Sequence, residues 1–296
     1  MASRRSREAS QVKTSRATTF RTFASALALA TAVFVFAAAA TVATIAATST
    51  PALADTKKEA LTIGVTAGPH EEILEVVKDI LAGKGISIKI VTFTDYVTPN
   101  IALAQGDIDA NSFQHGPYLE RFAKDRRLNL VAIAKTFVFP IGVYSKKIKS
   151  IEQLRPRAVI AIPNDPTNGG RALLLLQKAG FIKLRSGVGI TPSVFDITEN
   201  PKKLDIKELD AAQLPRSLED VDAAVVNTNY AIEAGLDPVK DAIFREGADS
   251  PYANIIAVRG EDKDKPIFKE LVQAYHSQRV ADFVKEKYKG AVVPAF

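Results

Sequence analysis

Residues 93–119 read FTDYVTPNIALAQGDIDANSFQHGPYL. Within this stretch, Tyr96, Phe113, His115 and Tyr118 surround a short apolar helix and the end of a strand, at a density of aromatic and polar-tipped side chains found nowhere else in the chain. Small-ligand pockets are mostly apolar and contain a few convergent polar groups. The stretch therefore predicts one lip of a small-ligand cleft, with the other lip supplied by residues far downstream.

The same four residues also allow a plainer interpretation. Tyr96, Phe113 and Tyr118 are suited to filling a core, and His115 to a strand end where its ring nitrogens are satisfied locally. Composition alone favours this core interpretation for each of them.

Strands and helices alternate on both sides of this stretch. The apolar patterns predict strands at 61–65, 86–90, 130–134, 158–162, 195–198, 223–226 and 255–258, and the longer helices at 168–179, 266–275 and 277–288. A further helix carries Ile73, Val77 and Leu81 at helical spacing and ends near Gly83. Such alternation predicts an α/β fold with two mostly parallel or mixed sheets flanked by helices.

Two extended crossings, at about 137–144 and 247–254, divide this α/β pattern into two lobes with a ligand cleft between them. We expect residues 55–138 and 251–296 to form lobe 1 and residues 139–250 to form lobe 2. The two crossings are then the candidate hinges for closure of the lobes.

Residues 1–54 have the pattern of a secretory signal leader. They begin with basic residues, continue as an Ala-rich apolar run and end in Ala52-Leu53-Ala54, an A-x-A cleavage site. We expect export and a mature chain that starts at Asp55. The alternative is an uncleaved membrane anchor, because the apolar run exceeds the length needed to span a bilayer.

Charge and cysteine content exclude several classes of protein. The leader holds six of the 39 basic residues and one of the 33 acidic residues, which leaves 33 basic and 32 acidic residues in the mature chain. A nearly neutral chain without a basic stripe does not predict nucleic-acid binding. The chain has no cysteine, which excludes disulfides, thiolate metal sites and a lipid-modified cysteine after the leader.

The motifs of common catalytic sites are missing from the sequence. His70-Glu71 begins like HExxH, but Leu74 stands where the second histidine is required. There is neither a Walker or dinucleotide glycine motif nor a G-x-S-x-G elbow. We therefore expect a protein without enzyme activity, metal or cofactor.

Three downstream side chains are suited to a zwitterion. Arg171 is expected in the first turn of the helix after the 158–162 strand, where a guanidinium can bind a carboxylate bidentately. Asn227 and Asn254, expected to follow strands, offer amide oxygens to an ammonium. Spacing alone instead favours a surface salt bridge for Arg171 and turn or capping roles for the asparagines.

The chain resembles a known family, the methionine-binding lipoproteins, which are the substrate-capture component of methionine ABC importers. The resemblance covers the chain from about Leu61 onward and is carried by the opening stretch together with IAIPNDPTNGGRALLLLQKAG, ITENPKKLDIKELDAAQLPRSLEDVD, VVNTNYAIEAGLDP and DSPYANIIAVR. It implies a two-lobed periplasmic-binding-protein type fold that closes on free methionine, in the L or D form. It also implies a monomer whose partner is the membrane permease of an ABC importer.

The resemblance places the family's pocket on seven positions of this sequence. These are Tyr96, Phe113, His115, Tyr118, Arg171, Asn227 and Asn254. It implies that the arginine and the asparagines hold the amino-acid backbone while the aromatic wall packs against the thioether. The chain departs from the family in lacking the lipid-attachment cysteine, so we expect an extracytoplasmic protein without that anchor. A methionine derivative, a methionine-containing dipeptide, or an adhesin or enzyme with this fold remain as alternatives.

Overall fold

The computed structural model describes residues 59–296, so the predicted leader lies outside the described residues. The strands are β1 (Ala60–Thr66), β2 (Ser87–Phe93), β3 (Ala110–Asn111), β4 (Leu130–Val138), β5 (Gly142–Tyr144), β6 (Val159–Pro163), β7 (Lys183–Leu184), β8 (Ile197–Glu199), β9 (Asp205–Leu209), β10 (Ala223–Val226), β11 (Phe244–Arg245), β12 (Ala253–Arg259) and β13 (Val293–Pro294). The helices are α1 (Pro69–Ala82), α2 (Thr98–Gln105), α3 (Gly116–Arg126), α4 (Pro166–Lys178), α5 (Leu214–Ser217), α6 (Thr228–Glu233), α7 (Pro266–Tyr275) and α8 (Gln278–Tyr288). In this part of the chain, none of the helices is long and apolar enough to cross a membrane.

The first sheet has the order β13-β4-β12-β3-β1-β2. Strand β1 pairs in parallel with β2 and β3, whereas β12 pairs antiparallel with β3 and β4. Helix α1 begins directly after Gly68, whose φ of 77° suits glycine, and has Pro69 in its first turn. Its apolar face, with Leu74 and Val77 fully buried, packs with α7 and α8 in the core on this sheet.

The second sheet has the order β11-β5-β10-β6-β9. Strand β6 pairs in parallel with β9 and β10, and β5 pairs antiparallel with β10 and β11. Both sheets are therefore mixed, and separate apolar cores cover the two faces of the second sheet. The predicted α/β class with two helix-flanked sheets is confirmed.

The chain passes between the sheets twice. It leaves the first sheet after β4 and enters the second at β5, and it returns between β11 and β12. Residues 139–141 and 246–252 make these passages, close to the predicted crossings. The lobe boundaries at 138/139 and 250/251 stay a prediction.

Several predicted elements differ in the structure. Helix α4 begins at Pro166 rather than at Asn168, because the Asp165 carboxylate caps it by accepting from the backbone N–H groups of Thr167 and Asn168. Residues 194–196 form a 3-10 turn, so the strand expected at 195–198 is β8 at 197–199. Strand β9 was not predicted, since its sequence DIKEL is too charged to give a strand pattern.

Candidate functional site

A cavity lies where the carboxyl ends of β1 and β6 and the two passages between the sheets come together. Thirteen residues line it: His70, Tyr96, Phe113, Gln114, His115, Tyr118, Phe139, Asn168, Arg171, Asn227, Thr228, Asn229 and Asn254. Ligands of α/β proteins bind at the carboxyl ends of parallel strands, so the position is an ordinary one for a binding site.

All seven side chains predicted for the pocket line this cavity. They come from the loop after β2, the segment between β3 and α3, α3 itself, α4, the start of α6, and β12. The structure therefore brings together residues up to 158 positions apart in sequence, from Tyr96 to Asn254. Their contact with a ligand stays a prediction.

Two local expectations about these residues were wrong. Arg171 lies in the second turn of α4 and not in its first, because the Asp165 cap starts the helix earlier. Asn254 lies within β12 and does not follow a strand. Nor is Arg171 part of a surface salt bridge, since its side chain is only 3% exposed.

Aromatic rings form one wall of the cavity. The Tyr96 ring lies 5.9 Å from that of Phe113 and 6.1 Å from that of Tyr118, between centroids, and Tyr230 packs on its other side at 4.9 Å. The Tyr118 hydroxyl donates to the Tyr96 carbonyl at 3.0 Å. The Tyr96 hydroxyl donates to Oδ1 of Asn229 at 2.6 Å. This bond joins the loop after β2 to helix α6, which follows β10 of the second sheet. The wall is thus fixed by hydrogen bonds at its polar tips.

His115 caps α3 and is held as a neutral imidazole. Its Nδ1 accepts from the Tyr118 backbone N–H at 3.1 Å, so Nε2 carries the proton and donates to Oδ1 of Asn168 at 3.2 Å. Burial, followed by the nearby Arg171 charge, lowers the pKa of His115 to about 3. Asn227 donates through Nδ2 to the same Asn168 oxygen at 2.8 Å, so these residues form one network across the cavity.

His70 forms a second neutral imidazole site. Asn254 Nδ2 donates to its Nε2 at 2.8 Å, so Nδ1 carries the proton and donates to the Thr66 hydroxyl at 2.8 Å. Burial lowers the pKa of His70 to about 3. The ring stacks on Phe139 with centroids 4.4 Å apart, which gives the cavity an uncharged floor beside Arg171.

Arg171 is already paired within the protein. Its Nε lies 3.2 Å from both carboxylate oxygens of Glu246, and its Nη2 donates to Glu246 and, at 2.9 Å, to the Phe139 carbonyl. The guanidinium carbon also lies 4.4 Å from the centroid of the Tyr252 ring. Among residues 59–296, the Nη1 group has no hydrogen-bond partner.

A closed amide network supports the wall from below. Asn100 and Gln114 exchange two side-chain hydrogen bonds of 2.7 Å, and Asn111 donates to Asn100 at 2.9 Å and accepts from Gln114 at 2.8 Å. All three side chains are buried. Because each amide satisfies the others, the network fixes the chain between β3 and α3 that carries Phe113 and His115.

Two buried amide atoms at the cavity have no partner in the described part of the chain. They are Oδ1 of Asn227 and Nδ2 of Asn229. Asn227 occupies the N-cap position of α6, yet its side chain makes no capping bond. Buried polar atoms are normally satisfied, so an unpaired acceptor and an unpaired donor at one cavity indicate a polar ligand.

Sequence reasoning missed six of the lining residues: His70, Gln114, Phe139, Asn168, Thr228 and Asn229. The spacing around His70 resembles only an incomplete metal motif, although its place just after β1 is a signal for a pocket residue. Asn168 and Asn229 stand next to Arg171 and Asn227 at the carboxyl ends of β6 and β10, which was a signal as well. Glu246, the partner of Arg171, had no sequence signal.

Two mixed sheets, a cavity between them and a lining with unpaired polar atoms but neutral histidines define a two-lobed solute-binding protein. The chain belongs to the NlpA lipoprotein family, whose model matches residues 61–296.

The similarity to known proteins extends over most of the chain. The chain is 52% identical over 234 residues to the D-methionine-binding lipoprotein MetQ of Salmonella typhimurium, which covers 78% of this chain and 86% of that protein. A nutrient binding protein from Burkholderia cenocepacia, solved bound to methionine, is 54% identical with a TM-score of 0.78 and covers 80% of this chain and 100% of that chain. A periplasmic substrate-binding protein of an ABC transporter from Coxiella burnetii is 51% identical with a TM-score of 0.77, covering 79% and 100%.

Proposed function

We propose that this protein is an extracytoplasmic solute-binding protein that captures methionine, in the L or D form, between its two halves. It then delivers the amino acid to the permease of an ABC importer. The observation that carries the proposal is the cavity itself, where an aromatic wall faces a buried arginine and unpaired amide atoms. One relative is named a D-methionine-binding lipoprotein, and another was solved with methionine bound. Both support the same ligand for this protein.

The lining matches the parts of methionine. A thioether is polarisable and gains from contact with aromatic rings, which the Tyr96, Phe113 and Tyr118 wall offers. The ligand ammonium donates to the unpaired Oδ1 of Asn227, and the ligand carboxylate accepts from Nη1 of Arg171. The ligand carboxylate then lies against a cation and the ligand ammonium has a hydrogen-bond acceptor, which lowers the cost of burying them.

Closure of the two halves completes the site. His115 and Tyr96 of the first half bond to Asn168 and Asn229 of the second half, so these bonds form only when the halves approach. Residues 55–138 with 251–296 and residues 139–250 are the two lobes in this proposal, and the two passages are their hinges. The permease then recognises the closed, loaded form of a monomer.

We further propose a role in transport without catalysis, nucleic acid or cofactor. The cavity histidines are neutral and hydrogen-bonded on both ring nitrogens, so neither is poised as a general base. The sequence has no cysteine, so any attachment to the membrane differs from the lipid anchor in the family's name.

Calorimetry with purified protein tests the ligand. Methionine should bind at least about a hundredfold more tightly than leucine or glutamine, a margin of about 3 kcal/mol. Arg171→Ala should abolish binding, whereas Arg279→Ala, which removes an exposed arginine of a surface ion pair, should leave it unchanged. Equal heats for all three amino acids would contradict the proposal.

A methionine-containing dipeptide is the second candidate ligand. A further hollow shares Tyr118 with the cavity and is lined by Arg121, Asp125 and Asp165 among others, so a second residue has a place beyond the wall. Native mass spectrometry of freshly purified protein distinguishes the two by the mass of the retained ligand.

A further inference from the structure

Glu246 is the buried partner of Arg171 and belongs to neither the predicted pocket nor its lining. It lies just after β11, in the passage that returns the chain to the first sheet. Its side chain is 15% exposed and that of Arg171 is 3% exposed. The carboxylate also accepts from the Ile141 backbone N–H at 3.4 Å and from the Ser250 hydroxyl at 3.2 Å.

The contacts of the guanidinium limit how a ligand can approach it. The edge formed by Nε and Nη2 faces Glu246, and Nη2 also donates to the Phe139 carbonyl. Only Nη1 remains for a ligand, so a ligand carboxylate binds through that nitrogen alone. The bidentate binding expected from the sequence needs an edge that Glu246 and Phe139 already occupy.

We propose that Glu246 is the internal counter-ion of Arg171 and sets how strongly the site attracts the ligand carboxylate. The inference rests on the proposed function, because it requires a ligand carboxylate at Arg171. In the empty site, Glu246 neutralises a buried cation that would otherwise be costly. In the loaded site, one guanidinium lies between two carboxylates, which repel each other. Glu246 therefore stabilises the empty protein and weakens binding.

The consequence suits a carrier that must release its ligand. A buried arginine loses its hydration. Without a counter-ion, only the ligand carboxylate would compensate for that loss, so the ligand would be held more tightly. With Glu246 in place, the arginine keeps a partner after the ligand leaves. Glu246 also contacts both passages between the sheets, through its own backbone N–H to Ile141 O at 2.9 Å and through Ser250.

The test compares methionine with methioninamide, which lacks the carboxylate, in Glu246→Gln. The glutamine oxygen can still accept from Arg171, so the change removes charge and keeps the shape. We expect methionine to bind about tenfold more tightly or better, from charge repulsion across one guanidinium in a partly buried site. Methioninamide affinity should change by less than about threefold. The ligand-free variant should melt at a lower temperature than the unaltered protein.

A matched control is Glu219→Gln, which removes an exposed carboxylate of a surface ion pair and should change neither affinity. Glu246→Asp keeps the charge but withdraws it by one methylene, and should tighten methionine binding by about threefold. Unchanged or weaker methionine binding in either Glu246 variant, or equal shifts for both ligands, would overturn the inference. If Glu246→Gln does not fold, Glu246→Asp decides alone. Failure of the unaltered protein to bind methionine would instead overturn the proposed function.

Discussion

If the two halves close on the ligand as proposed, the hydrogen bond between Tyr96 and Asn229 measures how far closure contributes to methionine binding. Tyr96 follows β2 of the first sheet, and Asn229 lies in α6 beside the second sheet. Their bond is 2.6 Å long and joins groups 133 residues apart. Tyr96→Phe removes only the hydroxyl, so the ring keeps its contacts with Phe113 and Tyr118.

The expected cost follows from the state of Asn229. Its side chain is 3% exposed and its Nδ2 already has no partner in the described chain, so loss of the tyrosine leaves both polar ends of a buried amide unpaired. Leaving one buried polar group unsatisfied costs about 1–3 kcal/mol. In the proposed function the bond forms only when the two halves are together, so we assign this cost to ligand binding. The dissociation constant for methionine should rise roughly fivefold to 150-fold.

Titration calorimetry with methionine measures the effect, and thermal unfolding checks that the variant is folded. The matched control is Tyr144→Phe, because Tyr144 is 1% exposed and its hydroxyl has no partner in residues 59–296. Removing that hydroxyl should leave the affinity unchanged and the fold as stable or more stable. Equal methionine affinities for the two variants would refute the reasoning.

Two further predictions concern stability. Asp165→Ala removes the cap of α4 and the partner of Asn168 Nδ2, so the free energy of unfolding in urea should fall by about 1–2 kcal/mol, with weaker methionine binding; an unchanged urea midpoint would contradict this. Burial lowers the pKa of His70 and of His115 from 6.5 to about 3, so both stay neutral in the folded protein while the unfolded chain takes up protons. Stability should therefore be lost as the pH falls through about 6.5, by up to ~1.4 kcal/mol per pH unit for each histidine. Urea unfolding from about pH 7.5 to about pH 5 measures this slope, and His70→Gln should lower it by about half; an equal slope in that variant would exclude His70 as a source.

Elements with strong apolar periodicity could be predicted from the sequence. The face of α1 and the wholly apolar β6 need only local pattern: α1 ends at Ala82, directly before the predicted Gly83, and β6 lies one residue from its predicted bounds. The predicted start of α4 was two residues late, because Asp165 caps the helix and Pro166 begins it. Because this cap was missed, Arg171 was predicted in the first turn of α4, whereas it lies in the second.

For the residues that line the cavity, a resemblance was needed to favour a pocket over their plainer structural interpretations. Arg171 and Glu246 are 75 residues apart, and the passage that carries Glu246 has no periodic pattern. Nothing local distinguishes this carboxylate from the exposed ones around it. Its burial comes from the arrangement of both passages between the sheets, which is a property of the complete fold.

The charges of the cavity limit which amino acids can bind, but they do not by themselves select methionine. The described cavity holds one buried cation, which Glu246 neutralises, and two histidines that burial keeps neutral. A ligand side chain with a net charge would enter without a counter-ion, and burying an unpaired charge is costly. Glutamate and lysine are therefore excluded, whereas leucine, glutamine and methionine are not. The aromatic wall must separate these three, by its contact with a polarisable sulfur. Leucine is thus the most demanding competitor in any binding experiment, because it differs from methionine in shape and polarisability alone.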